Sequence, residues 1–221
     1  MLLFGNIIDF FYMDKRKNKA AKLKVLILEQ ALKMIGNKSF EDLHVETLCK
    51  QVKISKVTFF NYFPQKEDIL LYHFRIWCLA REVELSKNRH EGMKGIFFLF
   101  DKLCDAMELY QGMMLGLTAY LSNIKRTPRP FPVKKEEKIL LFPQFPEVSN
   151  IEILSLEQII EKFVLEAIFK KEITKSTSTR DITNLFSSLF YGVIVVCHTN
   201  QLKPIKPYVR NIVDFAIKGL V

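Results

Sequence analysis

The sequence predicts an all-α chain, and three observations carry that prediction. Eight Gly and eight Pro in 221 residues are few for a protein of many tight turns. Apolar residues recur at steps of three and four along most of the chain, the period of a helix with one buried face. A hydrophobic share of 49% beside a charged share of 26% is the balance of a globular chain with a core, not of a disordered one.

The elements follow in order. From Lys19, the positions Leu23, Leu26, Ile27, Ala31 and Met34 form the stripe of a first helix, interrupted only by Gln30, and Gly36-Asn37 stops it. Val45, Leu48, Cys49 and Val52 mark a short second helix, for which Asp42 is the expected N-cap. Lys53-Ile54-Ser55 makes a brief turn, and Ser55 caps a third helix from Lys56. Pro64 closes it, because proline restricts the residue before it and cannot continue the hydrogen-bond ladder. A longer fourth helix runs from near Gln65 to about Ser86. Further helices are expected at about 94–110, 112–123, 155–173, 180–200 and 207–220. Five prolines between Lys125 and Asn150 forbid a continuous helix there and leave a short helical turn or a flap. Inside that stretch, the mixed charges of Lys134-Lys135-Glu136-Glu137-Lys138 read as a solvated surface.

Two short helices about a tight turn, resting on a longer first helix, form a helix-turn-helix over residues 13–70, with 71–221 as a second helical domain. Such a unit lays its second short helix in the DNA major groove, with flanking cations on phosphates. Here that helix is Lys56 to Tyr62. Phe59 and Phe63 turn to the core with Ile54, leaving Ser55, Lys56, Val57, Thr58, Phe60 and Asn61 for the groove. Charge supports the assignment. The formal net charge is +9, and residues 13–91 hold sixteen cations against ten anions. Lys15, Arg16 and Lys17 open a cationic run that favours an anionic partner.

The stretch FEDLHVETLCKQVKISKVTFFNYFPQKEDIL, from Phe40 to Leu70, resembles the DNA-binding signature of TetR-type bacterial transcriptional regulators. Val45, Leu48 and Cys49 fill buried positions of that pattern, Ile54-Ser55 fills its turn, and Tyr62-Phe63-Pro64-x-Lys66-Glu67-x-x-Leu70 is its closing motif. The resemblance implies that Tyr62 and Lys66 anchor the DNA backbone and that Phe63 packs beneath the recognition helix. It also implies a C-terminal half that binds a small molecule and dimerises, and so a repressor acting as a homodimer on a palindromic operator in double-stranded DNA. Four positions depart from the pattern: Leu43 and His44 replace its hydroxyl residue, Lys53 its turn glycine, Val57 its small residue and Phe60 its phosphate-binding tyrosine.

Beyond Ser86 the chain turns apolar, with eleven of its nineteen Phe after Gly92. Phe97, Phe100, Met107, Tyr110, Met113, Met114, Leu117, Tyr120 and Phe163 are the expected lining of a pocket for a hydrophobic small-molecule effector. Leu189, Val193 and Val196, with Val209, Val213 and Ile217, are the expected dimer face, half of a four-helix interface repeated by two-fold symmetry.

Other functions find little support. Cys49, Cys78, Cys104 and Cys197 form no C-x-x-C pair, and the four His have no metal-ligand spacing, so no metal and no cofactor is expected. No nucleophile elbow, P-loop or dinucleotide fingerprint occurs, which argues against an enzyme. Reduced thiols suit the cytoplasm. Residues 182–202 lack charged side chains but contain too many polar ones to span a membrane, and read as a core or interface helix. The apolar residues 1–12 are too short for a span, and their cations follow rather than precede them, unlike a secretory signal. They are either an over-extension ahead of Met13 or an accessory segment. The rival reading of the whole is a helical small-molecule-binding or membrane-surface protein with a degenerate DNA-binding head.

Overall fold

The computed structural model describes residues 15–36, 38–126, 129, 131–174 and 176–220; the side chains of Lys15 and Arg16, and the extension 1–12, lie outside the described residues. Among these residues the chain is all α. Its helices are α1 (Lys15–Ile35), α2 (Val45–Val52), α3 (Lys56–Tyr62), α4 (Asp68–Lys87), α5 (Gly92–Leu109), α6 (Gln111–Leu121), α7 (Lys135–Leu141), α8 (Leu156–Phe169), α9 (Thr179–Thr199) and α10 (Ile205–Lys218).

Two apolar cores share one spine. The first gathers α1, α2 and α3 around Ile27, Leu28, Leu48, Phe59 and Phe63, and draws in Met113 and Leu117 of α6. The second packs α5, α8, α9 and α10 around Phe100, Phe163, Phe186 and Phe190. Helix α4 serves both, with Ile69, Leu70 and Tyr72 in the first and Trp77, Cys78 and Leu79 in the second. Among the described residues, helix α9 alone is long and apolar enough by composition to cross a membrane, but Ile182, Phe186, Phe190, Ile194 and Cys197 are buried in the second core.

Several expectations are corrected. The buried face of α1 is wider than its predicted stripe: Val25, Leu28, Leu32 and Ile35 join Ile27 and Ala31, while Leu26 faces solvent. Asp42 does not cap α2. It ends a 3-10 turn, Phe40–Asp42, whose own cap is Ser39, and His44 precedes α2 without a side-chain cap bond. Helix α4 begins at Asp68, because the Asp68 carboxylate accepts from the Gln65 amide at 2.9 Å and fixes the turn before it. Helix α8 ends at Phe169, four residues short of its predicted end.

The proline-rich stretch forms α7 and a second 3-10 turn, Pro146–Asn150. The charge cluster within it is not solvated throughout. Glu137 is buried and pairs with Lys24, itself buried on α1, at 3.0 Å. The Lys24 ammonium also donates to the Pro132 carbonyl at 3.0 Å and lies 4.2 Å above the Tyr72 ring and 4.7 Å above the Phe131 ring. Burial pulls its pKa below the ordinary lysine value, against the Glu137 carboxylate, which pulls the other way. Arg126 with Glu67 at 2.8 Å, and Arg129 with Asp68 at 3.3 Å, bind the same stretch to the start of α4.

Candidate nucleic-acid interface

Local chemistry builds the turn between α2 and α3. Lys53 takes the left-handed conformation, φ 59°, which closes α2 as a glycine would and costs a non-glycine residue about 1 kcal/mol. The Ile54 amide then donates to the Cys49 carbonyl at 3.0 Å. Ser55 caps α3 as expected, its hydroxyl accepting from the Thr58 amide at 3.0 Å and lying 2.9 Å from the Thr58 hydroxyl.

The recognition helix is seated on aromatic rings. Phe59 and Phe63 are fully buried with centroids 5.7 Å apart, and Phe63 stacks on Phe131 at 5.6 Å. With that face occupied, Lys56, Val57, Phe60 and Asn61 point outward; Val57 is 73% exposed and Phe60 43%. Leaving apolar surface this size in water is unfavourable, and a thymine methyl is one partner that would cover it. Thr58 and Tyr62 are half-buried at the edges, and Lys17 is exposed on the first turns of α1.

Two cations of this face already have partners within the chain. Lys56 pairs with Glu46 across the outer surface, an exposed contact that a phosphate can displace at little cost. Lys66 reaches the Glu41 carboxylate and carbonyl at 3.4 Å and lies 4.9 Å over the Phe40 ring, so it ties the turn before α2 to the start of α4. Lys56, Phe60 and Lys66 share one surface depression of about 470 Å³ with His44 and Thr47. Sequence reasoning missed these last two; the signal was their place at the start of α2, where free backbone amides favour an anion. Lys50 and Lys53, both exposed, extend the same cationic edge.

The other site residues do not assemble into one feature. Phe100, Met107, Met114 and Phe163 lie in the second core, and Met113, Leu117 and Tyr120 in the first. Phe97 is half-buried, and Tyr110 borders a cleft between α1, α4 and α5. On α9 and α10, Val193, Val209 and Val213 are buried within the chain, Leu189 and Ile217 are half-buried, and Val196 is exposed. The other exposed large apolar residues there are Leu185, Val195 and Phe215, the last at 69%. All four cysteines are free and buried, and the described residues contain no group of three or more His, Cys, Asp or Glu placed to hold a metal.

Residues 27–72 match the sequence model of the family described as bacterial regulatory proteins, tetR family. The chain is 46% identical over 46 residues to the uncharacterized HTH-type transcriptional regulator YuxN of Bacillus subtilis (strain 168), a match that covers 21% of this chain and 16% of that protein. A crystal structure of a TetR family transcriptional regulator from Chloroflexus aurantiacus J-10-FL aligns over 95% of both chains with 11% identity and a TM-score of 0.43.

Proposed function

We propose, from the match of residues 27–72 to the tetR family model, that the chain is a ligand-responsive transcriptional repressor acting in the cytoplasm as a homodimer on a palindromic operator. The observation that carries this reading is the outer face of α3, where Lys56, Val57, Phe60 and Asn61 stand exposed over a foundation of buried Phe59 and Phe63. Asn61 is suited to a bidentate bond with an adenine edge, Val57 and Phe60 to thymine methyls, and Lys17 and Lys66 to phosphates. Lys15 and Arg16 extend the phosphate contacts.

Two such heads fit successive major grooves roughly 34–36 Å apart when the bodies pair by two-fold symmetry. The exposed apolar residues Leu185, Val195, Val196 and Phe215 of α9 and α10 support that pairing. Because α4 contributes to both cores, an effector that shifts α4 alters the spacing of the heads. It does so only by binding the two forms with different affinity, commonly by about 1–3 kcal/mol.

Genomic fragments selected on the purified chain, followed by fluorescence anisotropy on the enriched sequence, test the proposal. Tight binding to an inverted repeat that weakens steeply as salt rises is the expected result. No binding to any DNA at low salt would overturn it in favour of a degenerate head.

A further inference from the structure

We infer that the cleft between α1, α4 and α5 is a binding site for a small neutral aromatic compound. The cleft has a volume of about 250 Å³, near the low end for small-molecule sites and suited to one or two fused rings. The cleft lies on the seam between the two cores. Leu28, Leu32 and Ile76 on its walls belong to the first core, and Trp77 and Ala106 to the second. A compound seated there touches head and body at once, whereas the Phe and Met side chains expected to form a pocket are spent in filling the cores themselves.

The chemistry of the lining sets the ligand class. The walls are mostly aliphatic and aromatic, with the Tyr110 ring edge-on to His73 at 5.5 Å. The charged groups at the rim satisfy one another: Arg81 donates to Glu84 at 3.1 Å, and Lys102 reaches the same carboxylate at 3.1 Å. With Asp105 the four rim charges sum to zero, so no net charge on a ligand is called for. Trp77 is held in place, with the Phe74 ring stacked on it at 5.8 Å and the Arg81 guanidinium 4.7 Å over its ring.

The inference rests on the ligand-responsive reading above and names the site for it. Trp77 is the single tryptophan of the chain, so its emission reports on the cleft without labelling. Coumarin, a neutral fused-ring lactone, is the probe, and its anionic 3-carboxylate the comparator. Saturable quenching of wild-type emission by coumarin is expected, at least five-fold weaker for the carboxylate. Ala80→Leu, which fills the cleft, should abolish it. Leu109→Ala, which trims an exposed rim residue and leaves the core untouched, should weaken it several-fold. Non-saturable quenching in the wild type, or equal affinity in wild type and both variants, overturns the site; tighter binding of the carboxylate overturns the ligand class. Operator affinity measured with and without saturating coumarin is a separate arm. Quenching that meets these expectations with operator affinity unchanged leaves the site standing and removes the ligand-responsive reading.

Discussion

Replacing Glu137 with alanine puts the pairing of α1 and α7 to a quantitative test. The Lys24 and Glu137 side chains are 7% and 3% exposed, so solvent cannot take over from either partner. Without Glu137, Lys24 keeps one carbonyl, at Pro132, and the faces of Tyr72 and Phe131. Stranding a buried charge costs about 3–5 kcal/mol, and the remaining carbonyl and rings place the cost near the lower figure. For a chain of this length 1 kcal/mol moves the melting temperature by about 2–4 °C, so Glu137→Ala should lower it by about 6–12 °C. The double variant Lys24→Met with Glu137→Leu removes both charges while keeping volume, and should return to within about 1 kcal/mol of wild type or exceed it. Thermal and urea unfolding followed by circular dichroism at pH 7 measure both. If the single variant lost less than about 1 kcal/mol, or the double variant were no better than the single, the account of a desolvated, mutually dependent pair would fail.

Four further outcomes are expected. Burial lowers the His73 pKa from its usual 6.5 to about 4; the unfolded chain therefore takes up that proton first as pH falls, and stability should decline between pH 6.5 and 4, a slope that urea midpoints should show flattened in His73→Phe. Lys53→Gly relieves the left-handed backbone and should raise stability by up to about 1 kcal/mol in the same melts. Ser55→Ala removes the α3 cap and should cost about 1 kcal/mol. In anisotropy titrations, Lys66→Ala should weaken binding to all DNA sequences alike and reduce the salt slope by about 1, whereas Asn61→Ala should relax preference at one base pair by about 1–3 kcal/mol.

The contrast between α3 and α7 explains how much of this was legible in the sequence. The signals that start and stop α3 lie within a few residues of it: the Ser55 cap, the apolar step from Phe59 to Phe63, and Pro64. Local signals of that kind are written in order along the chain, so both ends of α3 were predicted correctly. Lys24 and Glu137 are 113 positions apart, and nothing near either one announces the other. Each reads alone as a solvated charge. The one available hint was geometric: Glu137 stands four residues before Leu141, on the face of α7 that is buried. Asp42 misled for a related reason, since the Ser39 hydroxyl two residues ahead of Glu41 had already committed the chain to a 3-10 turn. The aromatic residues of α5 and α6 were legible as apolar, but periodicity cannot say which of two cores receives them, nor that little free volume remains between them.

The two cores are joined too closely for the head to swing as a free body. Besides α4, which both contain, α6 approaches the 3-10 turn of the head through Gly112 and Gly116, one helical turn apart. A Cβ at Gly112 would run into the Lys38 carbonyl, and one at Gly116 would stand 2.7 Å from the Cβ of Phe40. Glycine at these two positions lets α6 come against the Lys38 backbone and the Phe40 side chain, and Phe40, lodged there, carries Lys66 over its ring. On the other side, Arg126, Arg129 and Glu137 bind the stretch before α7, and α7 itself, to α4 and α1. Packed interfaces of this kind have discrete arrangements rather than continuous play. A signal from body to head would therefore have to repack the seam itself. The cleft lined by Leu28 and Leu32 of the first core and Trp77 and Ala106 of the second opens on that seam.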